Sequence, residues 1–240
     1  SIKAMKTIQQ NNGEKASNRY IISNNESALH VFETLSMFYL CGWKNPTVDI
    51  VPLFESVEDL EKADRVMEQL YTNVTYANHL KMRGNEQTIM LGFSDGTKDG
   101  GYLMANWGIY KAKEALTAIS RKYDVKVVFF DGRGGPPARG GGKTNKFYAS
   151  LGPTIENQQI QLTVQGQTIS SNFGTIDSCR YNLENLLSAG AKNQVFTKNE
   201  NELTSEEKEV LQNLSEISYQ KYVDFKNHEM FVPYLERMST

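Results

Sequence analysis

Two arginines set among glycines are the residues whose types and spacing most clearly suggest chemistry. Gly132–Gly142 reads Gly-Arg-Gly-Gly-Pro-Pro-Ala-Arg-Gly-Gly-Gly, with six glycines, two prolines and two arginines. Glycine permits positive φ and a close approach of backbone to ligand. Successive N–H groups in such a loop form an anion-binding nest. Arg133 and Arg139 add planar forks suited to bidentate capture of carboxylate or phosphate. Only eight arginines occur in the chain, so two in one loop favour a small-anion site over a flexible surface loop with solvated side chains. Two carboxylates, Glu55 and Asp95, stand directly after apolar runs upstream. Their oxygens suit a hard cation such as magnesium or manganese. The plainer alternative is that each caps the helix that follows.

The surrounding pattern must position these groups. Val125–Phe130 is an apolar, β-branched and aromatic run, as in a buried strand. Arg19–Ser23, Val48–Phe54 and Thr88–Phe93 read as earlier strands. Helices are expected over Glu26–Cys41, with Asn25 as N-cap and a buried stripe of Leu29, Phe32, Leu35 and Leu40. Val57–Tyr71 follows a Ser56-x-x-Asp59 capping box. A third helix is expected over about Gly100–Lys122, with Leu103, Trp107, Ala115 and Ile119 on one side. Further on, Asn145–Ser150 suits a single helical turn, and Gln161–Ser171 a hairpin or kinked strand turning at Gly166. Ile176–Ser188 is helix-like and Lys192–Ser205 is loop-like. Thr204-x-x-Glu207 opens a helix to about Lys226, with Val210, Leu214 and Ile217 on one face. Residues 1–17 are a polar lead-in, frayed or briefly helical, and 18–240 are expected to form a single α/β domain.

Alternation of strand and helix predicts a parallel sheet with outer helices. Glu55, Asp95 and Arg133 then fall at the carboxyl ends of consecutive strands, where α/β folds carry their ligand sites.

Composition narrows the partners. Formal net charge is −2 and the pI about 6.0, which suits neither nucleic acid nor an anionic membrane. Cys41 and Cys179 lie far apart and form no zinc framework, as in a reduced, cytoplasmic protein. His30, His79 and His228 are scattered, and His30 reads as an ordinary helix residue. No apolar run reaches membrane-spanning length, and no signal peptide is visible. Gly142-Lys143-Thr144 ends like a phosphate-binding loop, but residue 137, where that motif needs glycine, is proline. A P-loop-like nucleotide binder is therefore a minor alternative. Arg-Gly-Gly triplets also occur in RNA-binding segments, but in long repeats on a basic background that this chain lacks.

Taken together, these motifs resemble phosphoenolpyruvate carboxylase. The family's F-H-G-R-G-G-x-x-G-R-G-G-G stands here as Phe130–Gly142. GFSDGTKDGG, Gly92–Gly101, is similar to its G-Y-S-D-S-x-K-D-A-G. VPLFESVEDL, Val51–Leu60, is similar to its P-L-F-E-T-x-x-D-L. RYIIS, TVQGQ at Thr163–Gln167 and, more weakly, FVPYL at Phe231–Leu235 match in order, so the resemblance covers roughly residues 18–240. It implies a (β/α)8 barrel and a magnesium-dependent reaction. Bicarbonate attacks the phosphoryl group of phosphoenolpyruvate, giving carboxyphosphate and the enolate of pyruvate. Released CO2 then carboxylates the enolate to oxaloacetate. By motif, Glu55 and Asp95 are the expected metal ligands. Arg133 and Arg139 are the expected catalytic residues, contacting phosphate, bicarbonate or carboxyphosphate together with Gly134 and Gly135. Lys98 is a nearby positive group. The position of Arg139 is also linked in the family to inhibition by an aspartate effector, and family members form homotetramers.

Four departures stand out. Asp131 replaces the motif histidine, an anion for a cation, and is expected to repel substrate. Ala138 replaces a glycine, Pro136-Pro137 stiffens the loop, and Gln167 stands where glutamate is common. A complete barrel needs about 250 residues by itself, and family enzymes are several times longer than this chain. The expectation is therefore about half of a barrel: a processed or excised segment beginning at Ser1, with unpaired sheet edges that favour self-association. It would bind metal and anion with little turnover alone, or serve as a catalytically weak anion-binding regulatory or assembly module.

Overall fold

A computed structural model describes residues 1–136, 139–195 and 202–238. Five strands form one parallel sheet in sequential order. They are β1 (Arg19–Ile22), β2 (Asp49–Phe54), β3 (Glu86–Leu91), β4 (Lys126–Gly134) and β5 (Ile160–Val164). Sequential parallel order with helices between strands is barrel winding, and the sheet is a half-barrel.

The strands explain their own placement. β2 is buried from Ile50 to Phe54 and β3 is mostly buried, whereas β1 and β5 are half-exposed throughout or in alternation. Central parallel strands are covered on both faces and therefore read as continuous apolar runs. β1 and β5 close the described sheet with unpaired edges.

The helices are α1 (Ile2–Asn12), α2 (Ala28–Leu40), α3 (Val57–Thr72), α4 (Val74–Met82), α5 (Phe93–Lys122), α6 (Thr144–Ala149), α7 (Gln167–Phe173), α8 (Ile176–Val195), α9 (Ser205–Lys226) and α10 (Phe231–Met238). The core packs Val31 and Leu35 of α2, Leu60, Val66 and Leu70 of α3, and Ile109 and Leu116 of α5 against Ile50, Phe54, Ile89, Leu91 and Phe129 of the sheet. Both capping boxes form, at Ser56/Asp59 and at Thr204/Glu207.

Several expectations are corrected. The lead-in is an ordered helix: Ile2 and Met5 pack with Phe38, Trp43 and Val48 in a second cluster. In α2 the N-cap is Ser27. Its buried positions are Ala28, Val31, Leu35 and Phe38, while Leu29 and Leu40 are exposed. Of the expected stripe, Leu35 is buried and Phe32 packs partly buried against the core. α4 has no sequence forecast; Asn73 caps it by accepting the Thr75 and Tyr76 amides. α5 begins at Phe93, seven residues before the expected start, and kinks at Gly101 (φ 79). Gly96, Gly100 and Gly101 lower helix propensity enough to hide that first turn. Leu103 is exposed. Gln161–Ser171 is not a hairpin: β5 pairs parallel to β4, and Gly166 (φ 53) turns the chain into α7. Val210, Leu214 and Ile217 of α9 are exposed, because α9 packs on α5 through the other side, where Gln212 accepts from Trp107 Nε1 at 2.8 Å. The expected loop over Lys192–Ser205 starts inside α8; residues 196–201, like Pro137 and Ala138, lie outside the described residues. No helix is long and apolar enough to cross a membrane among the described residues.

Candidate active site

The site is built where β2, β3 and β4 end. Glu55 follows Phe54 directly, and its Oε2 accepts the Asn24 amide at 2.8 Å from the loop after β1. Asn24 adopts φ 50 to present that N–H. The turn after β3 closes onto Glu55: a Cβ on Gly92 would lie 3.1 Å from Glu55 Cγ, and one on Gly96 3.3 Å from the Glu55 carbonyl oxygen. These glycines bracket Asp95, so the turn bearing Asp95 packs directly against Glu55. Asp99 ties the two βα turns together by accepting the Val57 amide at 3.0 Å. Lys98 Nζ donates to Asp95 Oδ1 at 2.8 Å in an exposed pair.

The glycine-rich loop folds back on the same turn. A Cβ on Gly140 (φ 75) would meet the Phe93 carbonyl oxygen at 2.5 Å, and one on Gly141 the Gly135 carbonyl oxygen at 1.7 Å. No side chain fits at either place, and this is why the sequence has glycine there. The Arg139 and Gly141 amides both donate to the Pro136 carbonyl, at 2.9 and 3.1 Å. Tyr102 Oη donates to Gly141 O at 3.2 Å. Arg139 is exposed, and its Nε donates to Ser94 Oγ at 3.2 Å beside Asp95. Gly134 ends β4 opposite Val164, and Gly135 is buried at the start of the loop.

Arg133 is only 5% exposed. Its guanidinium carbon lies 4.4 Å from the Phe147 ring centroid and 5.8 Å from that of Phe93. Its Nε and Nη1 have no hydrogen-bond partner among the described residues. Burial pulls its pKa down, opposed by Tyr102, Tyr148 and Asp131. The group stays charged, since arginine does not deprotonate in proteins.

Asp131 sits two residues before Arg133 on β4 and is fully buried. The expectation that it leaves an uncompensated anion is wrong. Lys113 of α5, itself 1% exposed, donates to Asp131 Oδ2 at 2.7 Å. Tyr148 Oη donates to the same oxygen at 2.6 Å. The pair is neutral overall, so Asp131 presents no net repulsion to an incoming anion. Burial lowers the Lys113 pKa against the pull of Asp131. Burial together with Asp131 raises that of the Tyr148 phenol.

Lys113, Phe147, Tyr148 and Tyr102 were not found from sequence, yet a signal for Lys113 existed. Asp131 interrupts an apolar strand, and a buried carboxylate requires a cation. Lys113 stands beside the apolar stripe Ile109, Ala112, Leu116 on α5, the helix that covers β4.

No group of three or more His, Cys, Asp and Glu that could hold a metal exists among the described residues. Glu55 and Asp95 stand in two packed βα turns, with Asp95 engaged by Lys98. Two carboxylates would suit magnesium, which takes one or two and completes its shell with water and substrate oxygens. They do not suit a closed all-protein cage.

Parallel strands in sequential order with outer helices define a partial (β/α)8 barrel, with the glycine–arginine loop at the carboxyl strand ends, the face where such barrels carry their sites. The chain belongs to the phosphoenolpyruvate carboxylase family, whose model matches residues 1–240. It is 38% identical over 183 residues to the phosphoenolpyruvate carboxylase of Corynebacterium efficiens, covering 75% of this chain and 20% of that protein. It is 34% identical over 224 residues to the phosphoenolpyruvate carboxylase of Nitrosomonas eutropha, covering 90% of this chain and 24% of that protein. The chain therefore spans about a fifth to a quarter of the length of these relatives.

Proposed function

We propose that this chain supplies the phosphoryl-binding and cation-binding half of a phosphoenolpyruvate carboxylase site, and that it turns over little or not at all alone. One observation carries the reading: Arg133 is buried and charged, with Nε and Nη1 unpartnered. Two buried donor atoms left unfilled on a cation are costly, and an anion that accepts from them offsets the cost. The phosphoryl group of phosphoenolpyruvate has the right charge and acceptor spacing.

In the reaction, a bicarbonate oxygen attacks phosphorus while the bond from phosphorus to the enol oxygen breaks. Carbon dioxide released from carboxyphosphate then forms the new carbon–carbon bond, leaving phosphate. Arg133 holds the transferring phosphoryl group from the dry side. Arg139, exposed beside Ser94, closes on it from the solvent side. Gly140 and Gly141, where no Cβ fits, let backbone approach the anion. Glu55, oriented by the Asn24 amide, and Asp95 would hold a magnesium or manganese ion. When bound, that ion supplies Lewis-acid stabilisation of negative charge on substrate oxygen. Cation binding requires Asp95 to exchange its contact with Lys98. The remaining substrate contacts, the cytoplasmic setting, aspartate inhibition and homo-oligomeric assembly belong to the longer protein in this proposal.

Isothermal titration of phosphoenolpyruvate with manganese present tests this. Binding by the wild-type chain is expected, with loss in Arg133→Ala and loss of the manganese dependence in Glu55→Gln. Unchanged binding in Arg133→Ala sinks the anion-site assignment. Sustained oxaloacetate formation by the isolated chain sinks the claim that it is incomplete. A catalytically weak homologue acting as an anion-binding regulatory or assembly module predicts phosphoenolpyruvate binding that ignores manganese.

A further inference from the structure

Asp131, Lys113 and Tyr148 are all buried, and their place beside Arg133 suggests work beyond packing. Lys113 comes from α5, Asp131 from β4 and Tyr148 from α6. Both donors converge on one oxygen, Asp131 Oδ2, at 2.7 and 2.6 Å. The second oxygen, Oδ1, has no hydrogen-bond partner among the described residues. The cluster is continuous with the anion site through one ring: Phe147, next to Tyr148 on α6, lies 4.4 Å from the Arg133 guanidinium carbon and 5.3 Å from Lys113 Nζ. Phe147 and Tyr148 also meet edge to face at 5.2 Å. α6 has only six residues, too few to hold its own orientation. It packs on α8, and the Tyr148 phenol on Asp131 and the Phe147 ring on Arg133 tie it to β4.

We propose that Lys113, Asp131 and Tyr148 form a buried positioning set that anchors α6, keeps Phe147 against Arg133, and so holds Arg133 in its anion-binding pose. Lys113 neutralises Asp131, so that the carboxylate can accept the phenol without adding net negative charge beside the site. Asp131 and Arg133 lie two residues apart on β4, where the pairing with β5 shifts register between Asp131 and Gly134, so the anchor sits directly beside the anion-binding group. Phe147 contributes an aromatic face, the surface on which a guanidinium stacks best while its edge stays free for hydrogen bonds. The inference rests on the reading of Arg133 as an anion-binding group.

The test uses inorganic phosphate as probe and three variants of the chain: Tyr148→Phe, Lys113→Gln and Arg133→Ala. Tyr148→Phe keeps the ring and removes the phenol bond to Asp131. It is expected to weaken phosphate binding about tenfold, the size usual for partners one step removed from a ligand-binding group. A merely structural role is separated by the Arg133 Nε–H signal in nitrogen-edited NMR, sharp and slowly exchanging in the wild type because the group is buried. It should broaden and exchange faster in Tyr148→Phe while the amide signals of β2 and β3 stay in place. The double variant Arg133→Ala/Tyr148→Phe should bind no worse than Arg133→Ala, since Tyr148 acts only through Arg133. If Arg133→Ala binds phosphate like the wild type, the anion-site reading fails first. If Arg133→Ala loses binding while Tyr148→Phe keeps both affinity and signal, the positioning set is overturned and the anion site stands. Should Lys113→Gln fold poorly, Tyr148→Phe decides alone.

Discussion

Replacing Lys113 by methionine isolates the energetic role of the buried pair. The side chain is 1% exposed and its partner carboxylate fully buried, at 2.7 Å. Methionine matches the stem in volume, so the cavity is small and the main change is loss of the cation. Asp131 then retains only the Tyr148 phenol, and its Oδ1 already lacks a partner. A buried carboxylate stripped of its cation takes up a proton rather than stay charged. Keeping an aspartic acid neutral at pH 7 costs about 4 kcal/mol, from about 1.4 kcal/mol per pH unit above its usual value near 3.9. That figure falls inside the range of about 3–5 kcal/mol for breaking a buried pair by removing one partner. The carboxyl then binds a proton more tightly in the folded variant than in its unfolded chain, so the penalty shrinks by about 1.4 kcal/mol per pH unit as pH falls from 7 towards 4. Urea denaturation followed by circular dichroism at pH 7, 6 and 5 measures both the size and the slope, relative to wild type. The companion variant Lys113→Met/Asp131→Leu removes both charges and should recover most of the loss, with no extra pH slope. A penalty for Lys113→Met below about 1 kcal/mol, or one that does not change with pH, refutes the reasoning, because it would mean that water reaches the pair.

Three further outcomes are expected. His79 is 1% exposed, with Nε2 on Val48 O at 3.1 Å, and burial lowers its pKa. The unfolded chain therefore binds the extra proton first, and stability falls as pH drops below about 6.5, by at most about 1.4 kcal/mol per unit; His79→Gln should flatten that acid limb in denaturant titrations. Burial pushes the phenols of Tyr71, Tyr76 and Tyr148 up, and that of Tyr110 to about 12. Their folded values exceed the unfolded value near 10, so this contribution is complete below pH 10 and is lost above it. Absorbance at 295 nm should show exposed tyrosines ionising first and the buried ones only as the helical signal disappears; ionisation of all twelve tyrosines near pH 10 in a folded chain would contradict their burial. Gly141→Ala places a Cβ 1.7 Å from the Gly135 carbonyl oxygen, a clash between backbones that only opening of the loop relieves. It should cost about 1–3 kcal/mol, lower the unfolding midpoint by a matching few degrees, and abolish phosphate binding; retained binding would show that the loop closes differently.

Much of the fold was legible because its signals are local. Continuous apolar runs marked β2, β3 and β4, since a parallel strand covered on both faces has no polar side to show. Capping boxes at Ser56 and Thr204 marked two helix starts, because their hydrogen bonds lie within four residues of chain. The glycine–arginine loop and the order of Glu55, Asp95 and Arg133 along successive strands followed from the alternation of strand and helix alone. Where the glycines of the first turn of α5 lower local propensity, and where β5 looked like half of a hairpin, local signals pointed the wrong way. A strand's direction is set by the neighbour it pairs with, here β4. Which face of α2 and α9 turns inward was decided by packing, not by composition: Leu40 is exposed while Val31 and Phe38 are buried. The clearest case is Asp131. Sequence could mark it as a charge out of place, but Lys113 lies 18 residues away along the chain and meets it only because α5 packs across β4. Charge type is a property of the residue; whether that charge is free or neutralised is a property of distance, and only the folded chain sets distance.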